Sequence, residues 1–231
     1  MQLTEATEIA RSRGWLASCP PAVQRDLIRE MRLIEFATDQ YLWRATDGPG
    51  GIYCAVSGTI KAMAFSQARG ETLAHLVSPG VWFGVGPAIL RSRRSLSFRA
   101  SGPAELLHIT LADLDRVTRL GLDHMRALAT LTELANREMV AVVDTLLIPS
   151  APSRIAATLI RVAYGAVGPK PGESVSVMLS QSELGEMANT SRNLTGRTLK
   201  DMERKGWISI GYRSLTIIDP ERIEAFGAKN A

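Results

Sequence analysis

Residues 180–217 read SQSELGEMANTSRNLTGRTLKDMERKGWISIGYRSLTI, and this stretch decides the fold. Ser180 and Glu183 have the spacing of a capping box, in which a hydroxyl and a carboxylate each accept a bond from a backbone amide at the start of a helix. Apolar residues at helical spacing follow, and then Asn189, a residue type that tolerates the left-handed backbone of a tight turn. The pattern predicts two short helices joined by a turn.

The second helix is predicted to begin after Ser191 or Thr190, either of which can cap it. Thr195, Leu199 and Met202 recur at helical spacing and are expected to face the core. The remaining side chains point outward, and in a helix-turn-helix this face enters the major groove of DNA. The predicted DNA contacts, including one from the hairpin that follows, are Ser191, Arg192, Asn193, Gly196, Arg197, Lys200 and Arg213.

The outward face carries side chains that suit DNA. Arg192 and Arg197 each offer a planar pair of donors for guanine O6 and N7, and Asn193 matches adenine N6 and N7. Lys200 is expected to meet phosphate, and Gly196 is expected to allow close approach to the DNA. An ordinary solvated helix face is the alternative, but the position of the pair in the first turn of the second helix favours base contacts.

A small hairpin is predicted after the second helix. Two β-rich runs, Trp207–Ile210 and Leu215–Ile218, flank a glycine-bearing loop with Arg213 at its tip. A hairpin beside a helix-turn-helix makes a winged helix, and its tip is expected to lie over the DNA backbone. Arg213 is therefore expected to hold phosphate, as are Ser191 and Lys200.

This segment resembles the DNA-binding signature of the Crp/Fnr family of bacterial transcription regulators. The residues that carry the resemblance are Glu183-Leu184-Gly185, Ser191-Arg192-Asn193, Gly196-Arg197, Leu199-Lys200, Glu203 and Ile208. The family pattern often has glutamate where this chain has Asn193. Because glutamate accepts from cytosine N4 whereas asparagine pairs with adenine, the base preference at this position is expected to differ.

The resemblance implies an α+β fold of three parts: an N-terminal β-roll of the cyclic-nucleotide-binding type, a long dimerisation helix and a C-terminal winged helix-turn-helix. The expected boundaries are 1–120 for the sensor domain, 121–150 for the helix with a hinge, and 151–231 for the DNA-binding domain. The residues of 40–109 agree, because short β-like runs broken by glycine favour a barrel or a sandwich.

A long helix without internal proline is predicted from about 121 to 148. Its apolar residues follow the 3-4 spacing of a coiled-coil seam, which predicts a homodimer. The alternative is a helix that packs on its own domain, but Leu131 and Leu134 form a second stripe that can serve that purpose. A hinge over 150–153 and a helix over 154–167 are expected next. The predicted seam is Met125, Leu128, Thr132, Ala135, Met139, Val142 and Leu146.

Composition excludes some classes of protein. The net charge of +4 suits a polyanionic partner, and 45% apolar residues are enough for a real core. No apolar run reaches the roughly 18 residues of a membrane span, and the N-terminus is polar, so neither a span nor a signal peptide is predicted. A cytoplasmic location is expected. Of the other segments, 4–36 looks helical and 168–172 is expected to be a loop.

The resemblance also implies where an effector would bind. Cyclic-AMP-binding members have a Gly-Glu pair whose glutamate holds the ribose and an Arg-Ser pair that holds the phosphate. The matching residues here are Gly84-Val85 and Arg94-Ser95. The candidate effector pocket is therefore Gly84, Arg94 and Ser95. Val85 cannot accept a hydrogen bond from a ribose hydroxyl, so cyclic AMP is not expected, although the arginines of 91–94 could hold another anion.

Metal, cofactor and catalytic sites are not predicted. Cys19 and Cys54 are too few for an iron–sulfur cluster, which needs about four thiolates, and the histidines lack metal-ligand spacing. The sequence leaves two alternatives open, haem ligation by one histidine and a Cys–His nucleophile pair, but no feature of it favours either. No cofactor is expected, the effector is unknown, and an enzyme fits least.

The sequence thus predicts a homodimeric, sequence-specific transcription regulator. Two second helices would enter successive major grooves about 34 Å apart, so the double-stranded DNA site is expected to be a near-palindrome. The resemblance also implies a contact with RNA polymerase, and no membrane partner is expected. The alternative is a ligand sensor or adaptor whose winged helix contacts protein instead of DNA.

Overall fold

The computed structural model describes residues 1–67, 70–165 and 175–228. Contacts between residues divide the chain into two units. The first unit is Met1–Glu71 with Leu76–Asn136, and the second is Thr72–His75 with Arg137–Ala231. The loop predicted over 168–172 lies outside the described residues.

The N-terminal half of the chain begins with short helices and continues with short strands. The helices are α1 (Leu3–Ser12), α2 (Gly14–Ser18), α3 (Pro21–Arg29), α4 (Val85–Leu90) and α5 (Leu111–Thr118). The strands are β1 (Arg32–Phe36), β2 (Tyr41–Trp43), β3 (Ile52–Ser57), β4 (Ile60–Ser66), β5 (Gly70–Val77), β6 (Trp82–Phe83), β7 (Ser97–Ala100) and β8 (Ala104–Ile109). They form two four-stranded sheets, β1-β8-β3-β6 and β2-β7-β4-β5, which confirms the predicted β-roll.

One apolar cluster of the β-roll lies between the first sheet and the helices, and another lies between the two sheets. Around the first sheet, Trp15 packs edge-on against Trp82 with 5.0 Å between ring centroids. Between the two sheets, Phe98 lies 4.7 Å from Trp43 on its own sheet and 4.9 Å from Phe83 on the first sheet, centroid to centroid. Aromatic groups at these separations add to the apolar area that they bury. The core therefore consists of two packed layers instead of one.

Two local predictions for this half are wrong at their boundaries. Residues 32–36 form a strand and not the end of a helical segment, because they pair along their whole length with β8. The strand predicted to start at Ser95 starts at Ser97, and Ser97 and Phe98 are both buried, so the expected alternation is absent. Both errors arise from strand pairing, which involves partners distant in sequence.

The C-terminal half starts from a long helix and ends in a winged helix. Its elements are α6 (Leu122–Leu147), α7 (Ala151–Tyr164), β9 (Val175–Val177), α8 (Gln181–Met187), α9 (Arg192–Arg204), β10 (Ile208–Gly211), β11 (Ser214–Ile217) and α10 (Pro220–Ala228). The strands form a three-stranded sheet in the order β10-β11-β9. The predicted α+β class, long helix and helix-turn-helix are confirmed. No helix in the described ranges is both long and apolar enough to span a bilayer.

The hinge predicted over 150–153 is largely helical. The hydroxyl of Ser150 accepts a bond from the amide of Ser153 at 3.4 Å and caps α7, whose first residue is Ala151. Proline in the first turn of a helix has no amide to leave unsatisfied, so Pro152 starts the helix instead of breaking it. The break between α6 and α7 is therefore confined to 148–150.

Candidate nucleic-acid interface

The turn between α8 and α9 is built as the sequence predicts. Ser180 Oγ accepts from the amide of Glu183 at 3.2 Å, and the Glu183 carboxylate accepts from the amide of Ser180 at 2.8 Å, which confirms the capping box. Asn189 has a φ of 48°, in the left-handed region. The amide of Thr190 then donates to the carbonyl of Gly185 at 2.8 Å and closes the turn.

A residue that the sequence analysis missed holds this turn in place. Arg154, on α7, donates from Nε to the carbonyl of Ala188 at 2.6 Å and from Nη2 to that of Asn189 at 3.3 Å. Its Nη1 donates to the carbonyl of Ile148 at 2.7 Å. Charge-assisted bonds of this kind are stronger than neutral ones. Sequence offers little signal for the role, because a single arginine in the first turn of a helix resembles any surface residue.

Helix α9 has the two faces that its spacing predicts. Ser191 Oγ accepts from the amide of Leu194 at 3.3 Å, so Ser191 is the cap and Thr190 is not. Thr195, Leu199 and Met202 are buried, as expected. The exposed residues of the opposite face are Arg192, Asn193, Arg197 and Lys200, with Gly196 half-buried among them.

The cations of α9 fall into two groups. Near the end of the helix, Asp201 pairs with Arg204 at 2.9 Å and with Lys205 at 2.7 Å, and the bond from Lys205 holds the pKa of the Asp201 carboxyl below its usual value. In the described part of the chain, no hydrogen bond or ion pair holds the side chains of Arg192 and Arg197. The outward face therefore keeps its donors available for another molecule.

The wing is a two-stranded hairpin with Arg213 in its turn. Arg213 has a φ of 50°, and its carbonyl accepts from the amide of Leu179 at 2.9 Å. Its guanidinium lies 3.8 Å from the Glu183 carboxylate, so a phosphate would compete with this carboxylate for it. The neighbouring Tyr212 is 92% exposed. The structure therefore places Arg213 at the wing tip, beside the start of α8.

The space beside Gly196 differs from the sequence-based expectation. A Cβ added to Gly196 would lie 2.8 Å from Oε1 of Gln181. The missing side chain therefore makes room for a residue of this protein, not only for DNA. The sequence gives no signal for the contact between Gln181 and Gly196, because it joins two helices across the turn.

The exposed side of α6 follows a different register from the predicted seam. Leu128 is 7% exposed and belongs to the core cluster of the first unit, so it does not lie on the exposed side of the helix. Ala135 is exposed and Val142 is half-buried. The exposed side chains that recur at 3-4 spacing are Met125, Ala129, Thr132, Asn136, Met139, Val143 and Leu146. The predicted and the exposed registers share Met125, Thr132, Met139 and Leu146.

The candidate effector residues are not arranged as an open pocket. Arg94 is 4% exposed and donates to the carbonyls of Gly48, Pro49 and Gly51 at 3.3, 2.5 and 3.3 Å. Its guanidinium carbon lies 3.7 Å from the centroid of the Trp43 ring, in cation–π geometry. Burial lowers the pKa of the guanidinium. The Gly48–Gly51 segment is therefore more than a turn, because it covers an arginine.

Glycine is required where this loop closes over Arg94. Gly51 has a φ of 107°, and a Cβ there would lie 2.2 Å from the carbonyl oxygen of Ile109. Gly84, with a φ of 88°, would bring a Cβ to 3.0 Å from Nη1 of Arg94. Ser95 is exposed and separate from the buried guanidinium. Val85 is apolar, and the loop carbonyls occupy Nε and Nη2 of Arg94, while Nη1 is buried without a hydrogen-bond partner in the described ranges.

The described ranges contain no group of three or more histidine, cysteine, aspartate or glutamate side chains suited to a metal ion. Cys19 and Cys54 are both free and buried. Burial raises the pKa of the Cys19 thiol to about 11 and raises that of Cys54 further, so both favour the unreactive thiol form.

Comparisons with known proteins agree with this architecture. Residues 153–226 match the Crp-like helix-turn-helix domain, and residues 33–119 match the cyclic nucleotide-binding domain. The CRP-like cAMP-activated global transcriptional regulator of Mycobacterium tuberculosis is 23% identical over 94% of this chain and 97% of its own. The nitrogen fixation regulation protein FixK of Bradyrhizobium diazoefficiens is 21% identical over 94% of this chain and 91% of its own.

Solved structures show the same fold. FixK2 from Bradyrhizobium japonicum superposes with a TM-score of 0.73 at 16% identity, covering 87% of this chain and 99% of that one. A putative cyclic nucleotide binding protein from Ruegeria pomeroyi superposes with a TM-score of 0.71 at 15% identity, covering 98% of this chain and 99% of that one. At these identities the likeness concerns the fold alone.

Proposed function

Because the chain belongs to the Crp/Fnr family of transcription regulators, we propose that it acts in the cytoplasm as a homodimer that binds a near-palindromic DNA site through α9. Members of this family are transcription regulators and not enzymes. The proposed parts are a sensor domain over 1–120, a dimerisation helix over 121–150 and a DNA-binding domain over 151–231.

The observation that carries the proposal is the outward face of α9. Its side chains combine two guanidinium groups and an amide with a lysine one turn further on, and they project from a helix whose opposite side is buried. Arg192 and Arg197 suit guanine and Asn193 suits adenine. Ser191, Lys200 and Arg213 are assigned to phosphates, which position the helix without reading sequence.

The exposed register of α6 supports the homodimer. Met139 is 53% exposed and Val143 is 49% exposed, and a second copy of α6 would cover both. Asn136 lies in the same register, and a parallel pair of helices would bring it opposite the partner's copy, where two amides can bond to each other. We therefore assign the seam to the exposed register.

A response to cyclic AMP is not part of the proposal. The mycobacterial relative is described as cAMP-activated, but this chain has Val85 where a ribose acceptor is needed. Two nitrogens of Arg94 are engaged by carbonyls of its own loop, so within the described ranges only the buried Nη1 of this guanidinium is without a partner. From the resemblance we also propose that the protein contacts RNA polymerase. A pull-down of polymerase by the DNA-bound dimer tests this contact.

Selection from a pool of random double-stranded oligonucleotides tests the proposed function directly. The expected result is enrichment of one near-palindrome with half-site centres about one helical turn, or about 34 Å, apart. A pool that stays unenriched with a folded, dimeric protein would contradict the proposal and would favour the adaptor, whose winged helix contacts protein.

A further inference from the structure

A groove of about 380 Å³ is lined by the end of α1 and by one side of α3. This volume is in the range of sites that hold one small molecule. The residues of the groove are not among those assigned to DNA, to the seam or to the candidate effector pocket. The residues that line it are Arg11, Pro21, Gln24, Arg25, Ile28 and Arg29.

Helix α3 forms most of the wall. Its groove residues recur at a spacing of three and four, which places them on one side of the helix, whereas Val23 and Leu27 are buried in the core. Arg25 and Arg29 are one turn apart on this wall, and both are exposed. Arg11 adds a third guanidinium from α1. Three cations therefore line one concave surface.

The guanidinium groups of the groove are available to a ligand. In the described part of the chain, no hydrogen bond or ion pair holds the side chain of Arg25. Arg11 lies 3.2 Å from the Glu8 carboxylate and Arg29 lies 3.4 Å from that of Asp26, and the two arginine side chains are 48% and 74% exposed. Exposed pairs of this kind contribute little, because water screens them, so a strongly charged anion can replace the carboxylates.

The other residues of the groove suit the organic part of a ligand. Gln24 Nε2 donates to the carbonyl of Cys19 at 2.9 Å, which orients the amide and leaves Oε1 as an acceptor. Pro21 and Ile28 add apolar surface to the same wall. The groove thus combines cations, one acceptor and an apolar patch, which is the usual composition of a site for a charged organic molecule.

We propose that this groove binds a small organic polyphosphate of the nucleoside diphosphate or triphosphate type. The phosphates contact the three arginines, and the organic part lies against Pro21 and Ile28. Guanidinium groups bind phosphate through paired, charge-assisted hydrogen bonds, and several phosphate charges match several cations. The site goes beyond the proposed function, since the groove belongs to the first unit and α9 belongs to the second.

Isothermal titration calorimetry with adenosine triphosphate at fixed ionic strength gives the primary test. Arg25→Gln is expected to weaken binding by about tenfold, because charge-assisted hydrogen bonds are lost. Arg13→Gln removes an exposed arginine that does not line the groove, so it is the matched control and should bind as the wild type does. Equal affinities for Arg25→Gln and the wild type would overturn the proposal, as would a wild type that does not bind the nucleotide.

A variant of α9 separates this site from the DNA-facing cations. The double change Arg192→Gln and Arg197→Gln removes two exposed guanidinium groups of α9 and should leave the affinity for adenosine triphosphate unchanged. A loss of affinity in this variant that matches the loss in Arg25→Gln would place the nucleotide on α9 and would overturn the groove.

A change at Ile28 tests the place of the organic part. Ile28→Thr keeps the branched shape but removes apolar surface, so it should weaken binding of adenosine triphosphate by about threefold. Inorganic tripolyphosphate has no organic part, and its affinity should be the same for Ile28→Thr and the wild type. Equal effects of Ile28→Thr on the two probes would overturn the contact between the organic part and Ile28.

Discussion

Arg94 and Arg197 are chemically the same and have opposite surroundings. Arg94 is buried under an aromatic ring and bonded to carbonyls of its own loop, whereas Arg197 is exposed on a capped helix and is held by no bond within the described ranges. Arg94 uses Nε and Nη2 internally, although its Nη1 is buried without a partner in the described ranges, and bonds of this kind contribute to stability. A guanidinium whose donors are all left open can bind another molecule. From this contrast we expect a structural role for the β-roll arginine, and it supports the proposed recognition role of the helix arginine.

The largest effect is expected where a seam residue becomes charged. Val143→Asp should weaken dimerisation by at least about 100-fold, because an unpaired carboxylate in an apolar seam costs several kcal/mol. Sedimentation equilibrium measures it. Val142→Asp is the matched variant and should have a smaller effect, since Val142 lies outside the exposed register. A larger loss of dimerisation for Val142→Asp than for Val143→Asp would instead support the seam predicted from the sequence.

The second largest effect is expected from removal of the buried guanidinium of Arg94. Arg94→Leu leaves loop carbonyls without a donor and should lower the free energy of unfolding by about 3 kcal/mol. Urea denaturation monitored by tryptophan fluorescence gives the value. Arg93→Leu, at an exposed neighbour, should stay within about 0.5 kcal/mol of the wild type. Equal free energies of unfolding for Arg94→Leu and the wild type would contradict the structural role of Arg94.

The identity of the side chain at position 193 should change which base is preferred. Asn193→Glu should shift the preference from adenine toward cytosine, with about 1–3 kcal/mol of discrimination at that base pair. Repeating the random-pool selection with this variant measures the change in the preferred base. A binding motif identical to that of the wild type would exclude Asn193 from base contact.

The smallest effect is expected from cyclic AMP. A ligand at 100 times its dissociation constant stabilises a protein by about 2.7 kcal/mol, which raises the melting temperature measurably. Since Val85 and the engaged Arg94 do not suit the nucleotide, millimolar cyclic AMP should leave the melting temperature and the DNA affinity unchanged. A rise in melting temperature that Arg94→Leu abolishes would show that the loop opens to admit the ligand.

The sequence predicted those features that depend on neighbours within a few residues. The capping box of Ser180, the turn at Asn189 and the buried stripe of α9 all follow from spacings of three or four residues. The surroundings of Arg94 could not be predicted, because its loop partners lie more than 40 residues away along the chain. The sequence also could not tell which register of α6 is exposed, since two overlapping 3-4 patterns share every second member and only tertiary packing buries Leu128.

The most direct test of the account is the affinity of Arg197→Ala for two DNA molecules. Anisotropy titrations on the selected palindrome and on a random duplex should show a loss of about 1–3 kcal/mol per base contact on the palindrome and almost none on the random duplex. Lys200→Ala serves as the control that weakens both and flattens the salt slope. Equal losses for Arg197→Ala on the two molecules would contradict the claim that the outward face of α9 reads bases.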